Sequence, residues 1–497
     1  MRYSEIVYLL PLLTIALGAV VLMVLSTIKK LDIKKLSWIT LAFLLIAFGL
    51  NALNFGYIYS VLPFSHTLSS MIVTDTFAGY FSSIIIAGGI VTVLVGSHYF
   101  DKSNMLRGEV FSLLLFSLFG MMLLVETDEL FTSFIALEIA SISLYVLIGF
   151  QKNSEQRVEG SFRYLILGSV SSIMLLLGTA LLYGATKSTN IVQIAKYISA
   201  HSSMDMTLVI TGGTLILITF LFKVAAFPFQ NWSMDVYEAA PLPITAFMAS
   251  TFKVAIFGFI LRFVLIDFQE LKNIWSDILF YIAILTMLYG SFMAVFQKSL
   301  TRMLASSSIV HTGYLLIAFV SINSIGESAA TSIIFYLIAY FLSSMGAFGM
   351  LSYIASDDQL RVTYEDFRGF AHIRPYMAAM MSIFMLSLAG IPSTIGFIGK
   401  FYIFIGAIEA GYTTLALVGI LATFVSVYYY FKLIALMYFY PSSEMTNVPS
   451  LKGIPPLIIA VMALLIVWGG IGNTLISYFP GIDFLIDTAK FAYQSLF

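Results

Sequence analysis

The sequence predicts an all-α integral membrane protein of about fourteen transmembrane helices, ten of them forming two inverted five-helix repeats. Three observations carry this reading. Hydrophobic residues make up 60% of the 497 and charged residues only 10%, too little polar surface for a water-soluble domain. Apolar runs of roughly 20 residues, the length that crosses a hydrocarbon core as a helix, recur from one end of the chain to the other. Two of these runs are interrupted by proline or glycine at corresponding places in two halves of the sequence, as in inverted-repeat transporters.

Cutting at charge clusters and turn residues places spans at 5–28, 37–60, 73–98, 109–125, 129–150, 161–185, 206–229, 241–266, 275–296, 302–322, 329–355, 376–407, 413–440 and 453–479. The first run, MRYSEIVYLLPLLTIALGAVVLMVL, is long and lacks a small-residue cleavage site, so it reads as a retained span. Residues 1–100 then form an N-terminal three-helix segment, 105–268 the first repeat (spans four to eight), 273–441 the second (spans nine to thirteen), and 450–497 a final span. In span seven, Pro228 lacks the N–H that would bond the carbonyl of Val224, one residue past Lys223. In span twelve, Gly390-Ile391-Pro392, followed by Gly396 and Gly399, interrupts the helix before Lys400. Irregular backbone at membrane depth persists only where protein or a hydrated cavity satisfies it.

The halves also match in detail. Tyr164-Leu165-Ile166, with Ser171-Ser172 beyond, recurs as Tyr336-Leu337-Ile338 with Ser343-Ser344. Glu138 falls 26 residues before Tyr164 and His311 falls 25 before Tyr336; Lys223 lies 85 after Glu138 and Lys400 lies 89 after His311. Units separated by an odd number of crossings have opposite orientation, which is the inverted repeat.

Orientation follows from basic residues in the loops. Sixteen of the 25 lie at loops after odd-numbered spans, among them Lys29, Lys30, Lys34, Lys35, Lys102, Arg107, Lys152, Arg361 and Lys452; six, Arg2, Lys187, Lys196, Arg262, Lys272 and Lys490, lie on the other face. Odd loops are therefore expected in the cytoplasm, with both termini on the outer face.

Four ionisable residues sit inside apolar runs: Glu138, Lys223, Lys253 and Lys400. A charge near the middle of a bilayer costs several kcal/mol unless it meets a partner, a hydrated cavity or its own neutral form, so four point to a path for protons or ions. The alternatives are snorkelling from a segment end or a structural ion pair. Burial favours the neutral form of an acid or a lysine and a nearby opposite charge reverses this, so Glu138 beside Lys223 would form a switchable pair. Lys253 and His311 suit relay positions between Lys223 and Lys400, since imidazole donates at one nitrogen and accepts at the other; His311 reads equally as a satisfied polar residue near a helix end. Asp235 and Glu238 are expected to cap a helix or brace a loop. Glu126, Asp128 and Glu129 read as a solvated acidic loop, with an exit lining as the alternative. The Phe and Tyr residues read mostly as lipid-facing packing and interfacial anchors. With no cysteine, thiolate metal sites, iron–sulfur ligation and disulfides are excluded, and no phosphate-cradling loop, haem ligand pair, hydrolytic triad or basic tail for nucleic acid is present.

FPFQNWSMDVYEAAPLPITAFMASTFKVAIFGF resembles the central signature of the antiporter-like subunits of respiratory complex I and of related cation/proton antiporters. DFRGFAHIRPYMAAMMSIFMLSLAGIPSTIGFIGKFYIF is similar, more narrowly, to the subunit N (subunit 2) branch in the bacterial NADH:quinone oxidoreductase. The resemblance covers roughly spans three to thirteen. It implies a proton-pumping module of the prokaryotic plasma membrane without redox centres of its own. NADH, FMN, iron–sulfur clusters and quinone would belong to partner subunits. The expected partners are other membrane-arm subunits, among them another antiporter-like subunit and small membrane subunits. By matching positions it implies that Glu138 and Lys223 form the input pair, Lys253 the central relay and Lys400 the output lysine. Gln230 stands where the family often has His, and Met234 where it often has Pro. The same resemblance leaves a subunit of a multi-subunit Na+/H+ antiporter, with no redox role, as the alternative.

Overall fold

The structure is a computed structural model that describes residues 3–28, 32–61, 65–67, 71–102, 108–151, 154–200, 206–266, 272–355, 362–441, 453–475 and 481–496. Several of the basic residues that set the expected orientation, Arg2, Lys29, Lys30, Arg107, Lys152, Arg361 and Lys452, lie outside these residues.

The chain begins with α1 (Tyr3–Ser26) and α2 (Ile33–Val61), joined by a small antiparallel hairpin, β1 (Ser65–Thr67) and β2 (Ile72–Thr74), to α3 (Thr76–Lys102). Then come α4 (Glu109–Val125), α5 (Leu130–Ile148), α6 (Glu155–Thr186) and a short α7 (Ile191–Ala200). The next run is split into α8 (Thr207–Lys223) and α9 (Asn231–Ala239), and the one after it into α10 (Leu242–Phe247), a π-helical turn (Met248–Phe252) and α11 (Lys253–Ile266). α12 (Lys272–Phe296) leads into α13 (Leu300–Ile354), whose 55 residues would span ~80 Å if straight. It is not straight, because Gly326 breaks it at φ 34°, ψ −97°, between the expected spans ten and eleven. After α14 (Phe370–Ile373) a second split run gives α15 (Pro375–Ala389) and α16 (Ile395–Glu409), followed by α17 (Thr413–Phe439), α18 (Ile454–Leu475) and α19 (Ile482–Gln494).

Among the described residues ten helices are long and apolar enough to cross a membrane, and three shorter apolar helices, α4, α8 and α15, accompany them. The burial of these helices differs in a way that places the site. The run from Leu242 to Leu265 is wholly enclosed and α13 nearly so, whereas α1, α2, α6, α12, α17 and α18 turn most of their surface outward. Outward apolar side chains such as Phe424, 70% exposed, suit a hydrocarbon surround and not water. Charges carried by the enclosed helices therefore have only other protein groups to meet.

Candidate functional site

Both split runs end their first helix in a Schellman motif, which satisfies the last carbonyls and turns the chain through a left-handed residue. In the first, Ala226 N donates to Leu221 O (2.9 Å) and Ala225 N to Phe222 O (3.0 Å), with Ala225 at φ 58°. In the second, Ile391 N donates to Leu386 O and Gly390 N to Ser387 O (both 3.0 Å), with Gly390 at φ 79°. Glycine is needed at Gly390 twice over: a Cβ there would also stand 2.9 Å from Cδ of Lys400.

Lys223 is the last residue of α8, and it is buried. Its Nζ donates to Ser141 Oγ (2.9 Å) and Tyr145 Oη (3.3 Å), both on α5. The expected contact ion pair with Glu138 is absent: Glu138, half-buried on the same helix, instead accepts a hydrogen bond from Ser172 of α6. The two sites adjoin through Tyr145, whose hydroxyl lies so close to Gly168 that a Cβ there would sit 2.0 Å from it, while Ser172 Oγ also donates to the Gly168 carbonyl (3.1 Å). A hydroxyl-lined step thus replaces direct contact.

The carbonyl that Pro228 leaves without an N–H, Val224 O, accepts from Thr312 Oγ1 on α13 (2.8 Å). Thr312 Oγ1 in turn accepts from Nζ of Lys253 (2.9 Å), which donates also to Ser308 Oγ (2.6 Å) and Ser308 O (2.8 Å). The irregular turn after Lys223 and the second buried lysine are therefore joined through one threonine. Beside it, His311 is buried in the fourth turn of α13, not near a helix end, with Nδ1 bonded to Tyr336 Oη and Nε2 3.3 Å from Tyr430 Oη. Tyr430 also bonds Ser307. Lys400, buried on α16, donates to Leu388 O (2.7 Å) and Ala389 O (3.1 Å) at the end of α15, and its Nζ lies 5.0 Å from the centre of the Tyr314 ring, which meets His311 edge-on at 5.6 Å.

All five expected residues thus lie in the interior or at its edge, and none of the lysines snorkels. The tyrosines correct the expectation that this residue type faces lipid: Tyr145, Tyr164, Tyr314, Tyr336, Tyr340 and Tyr430 are buried around the charges. The repeat match at Tyr164 and Tyr336 was the signal that could have found them. Asp235 and Glu238 act as braces, not caps: Asp235 pairs with Arg163 (2.8 Å) and Arg302 (2.9 Å), and Glu238 with Arg302 (3.1 Å), tying α6, α9 and α13 together. Gln230 is buried beside the first break, with no hydrogen-bond partner for its Oε1 among the described residues.

The acidic loop is not solvated. Glu126, Asp128 and Glu129 are all buried, Glu129 by capping α5 through Thr132 N (2.5 Å). Arg262, within the expected span 241–266, is 1% exposed on α11 and pairs with Asp75 (2.8 Å) and Asp128 (3.3 Å). Asp75 and Asp128 share one guanidinium and Glu129 caps a helix, which explains why these acids tolerate burial, since a buried charge persists only when paired or hydrogen-bonded.

Comparison with known proteins agrees with this geometry. Residues 127–426 match the family described as the NADH:quinone oxidoreductase/Mrp antiporter membrane region. A protein of Trichlorobacter lovleyi named NADH-quinone oxidoreductase subunit N is 42% identical over 76% of this chain and 77% of its own. One of Solibacter usitatus, named NADH-quinone oxidoreductase subunit N 1, is 33% identical over 95% of this chain and 94% of its own. Among solved structures, a chain of respiratory complex I from Thermus thermophilus superposes with a TM-score of 0.77 at 28% identity, covering 94% of this chain and 98% of that one.

Proposed function

Because the chain belongs to the NADH:quinone oxidoreductase/Mrp antiporter family of membrane proteins, we propose that it is the subunit-N-type proton-translocating component of a quinone oxidoreductase complex in a prokaryotic plasma membrane. The observation that carries this is the set of interior residues Glu138, Lys223, Lys253, His311 and Lys400, the first four each hydrogen-bonded to hydroxyls (Ser172; Tyr145; Thr312; Tyr336 and Tyr430) and Lys400 set over the Tyr314 ring that meets His311. Each group can bind or release a proton, and each hydroxyl can pass one by exchanging its O–H bond. Relatives named as complex I subunits favour this over an Na+/H+ antiporter subunit.

In this reading the split runs and the two lengths of α13 make fourteen crossings. They fall into an N-terminal segment (1–100), inverted units 105–268 and 273–441, and a last span within 450–497, with odd loops cytoplasmic and both termini outside. Redox cofactors and quinone belong to partner subunits, and this chain supplies only the proton path. Glu138, the least buried of the five, is placed to sense a neighbouring membrane subunit, and a change of field there would move Lys223 between its hydroxyl partners and the acid. A proton would then pass by way of Thr312 to Lys253, on to His311, and out from Lys400.

The test is Lys223→Met and Lys400→Met in the intact complex, with assembly, quinone reduction and pumping measured separately. Assembled complexes that pump at least threefold less are the expected result. Undiminished pumping in both would refute the relay and leave the charges as structural locks.

A further inference from the structure

At the end of the bundle where α3 begins and α4 ends, proposed above as the outer face, lies a cavity of about 30 Å³, room for a water or two. Asn51 and Asn54 of α2, Tyr8 of α1, and Asp75 and Glu126 line it. Glu126 is the residue after α4 and is 7% exposed. Its charge environment is lopsided. Arg262 is committed to Asp75 and Asp128, Glu129 caps α5, and among the described residues the Glu126 carboxylate takes one hydrogen bond, from Ser82 Oγ of α3 to its Oε1 (2.7 Å). Burial, with the charge of Asp75, outweighs Ser82 and Arg262 and pushes the Glu126 carboxyl up to about 7.

A second observation lies deeper. Thr251 belongs to the π-helical turn, two residues before Lys253, and its Oγ1 is buried without a hydrogen-bond partner among the described residues. It packs against α3 at Gly88, where a Cβ would stand 2.1 Å from that oxygen. Gly88 is six residues from Ser82 on the same helix, about 9 Å along its axis. Thr251 thus turns an unsatisfied hydroxyl toward α3, the helix that carries the Ser82 donor to Glu126, while Lys253, two residues on, sends its ammonium to α13. π-helical turns of this kind recur at functional positions.

We propose that Glu126 is a proton-exchanging residue of a second, outer-face branch of the pathway, which connects Lys253 with the aqueous phase by way of Thr251, Ser82 and the Asn51–Asp75 cavity. The inference rests on the function proposed above. In the step itself the N–H bond of the Lys253 ammonium breaks. The proton is handed along O–H groups, those of Thr251 and Ser82 and of intervening water. It forms the O–H bond of the Glu126 acid, then leaves to water in the cavity; the nitrogen keeps its electron pair and nothing is oxidised or reduced.

The experiment uses the intact complex in proteoliposomes with independent control of outer pH. Glu126→Gln keeps the shape and the bond to Ser82 but cannot titrate. It should assemble, pump two- to fivefold more slowly at outer pH 8, and lose the fall in rate that the parent shows when the outer side is acidified from 8 to 6; Glu126→Asp should restore that fall. Parental rate and parental pH profile in Glu126→Gln would overturn the proposal. If that variant does not assemble, Ser82→Ala decides: loss of this donor should move the midpoint of the outer-pH profile upward, and an unmoved midpoint overturns the branch. Lys223→Met, run alongside, separates the two failures. Normal pumping there sinks the relay as a whole, whereas lost pumping there with an unaffected Glu126→Gln sinks only the branch.

Discussion

The breaks at Lys223 and Lys400 look alike in sequence and are built in opposite ways. At the first, side chains from elsewhere satisfy the opened backbone: Trp232 Nε1 donates to Phe222 O (3.1 Å), Thr312 Oγ1 to Val224 O (2.8 Å), and Phe227 N donates to Thr286 Oγ1 (3.0 Å). Lys223 is thereby free to bond side chains, the hydroxyls of Ser141 and Tyr145. At the second, Lys400 itself closes the backbone, with its ammonium on Leu388 O and Ala389 O at the negative end of α15. The lysines also lie on opposite sides of their breaks, Lys223 ending the helix before and Lys400 within the helix after. The lesson is a division of labour: Lys223 bonds only side chains, whereas Lys400 caps its neighbouring helix and, on the function proposed above, would also carry the proton.

The sharpest way to break this comparison is stability. Lys400→Met should lower the melting temperature of the complex by the equivalent of about 1–3 kcal/mol per orphaned carbonyl, while Lys223→Met should leave it nearly unchanged; equal losses would erase the distinction. Next come the left-handed residues. Gly390→Ala forces a Cβ into strained backbone and against Lys400, at about 1–3 kcal/mol, whereas Ala225→Gly relieves strain and should stabilise by up to about 1 kcal/mol. Thermal unfolding of the two purified variants, shifted in opposite directions, checks this. Smaller again is the effect of the hydroxyl cradle. Ser141→Ala should slow pumping about twofold, since Tyr145 still holds Lys223 and a single neutral hydrogen bond is worth roughly 1 kcal/mol. A pumping assay that finds no change would mean that Ser141 is a bystander.

The Glu126 acid gives a pH-dependent companion. Its carboxyl is raised above the ordinary value, so the stability it lends is fully present below about 4.5 and is lost as pH rises through about 7. Glu126→Gln should therefore gain in melting temperature over the parent as pH rises through this window, with a constant gap above it. A gap independent of pH would contradict the buried-acid assignment.

How much of this was legible depended on which interactions are local. The lysines and their breaks could be read because a charge or a proline inside an apolar run is conspicuous and costly, and Pro228 did expose the Val224 carbonyl. The partner of that carbonyl could not be read, since Thr312 lies 88 residues away. Tyr145, Tyr336 and Tyr430 were hidden for a different reason: in a membrane helix both faces are apolar, so the polar–apolar periodicity that marks an interior face in water is missing. Asp128 passed for a solvated loop residue because its counter-ion, Arg262, lies 134 residues beyond it, and Glu126 did so because its donor, Ser82, lies 44 residues before it. That Glu138 and Lys223 each bond hydroxyls, of Ser172 and of Ser141 and Tyr145, could not be read either, because it depends on how α5 packs against α6 and α8.

The central claim is that a single interior path runs through Lys253, where the input side, His311 and the outer-face branch all meet. The most direct measurement is the number of protons translocated per electron by an assembled complex carrying Lys253→Met, with quinone reduction followed in the same vesicles. The account predicts fewer protons per electron than in the parent while the complex remains intact; an unchanged ratio would contradict it.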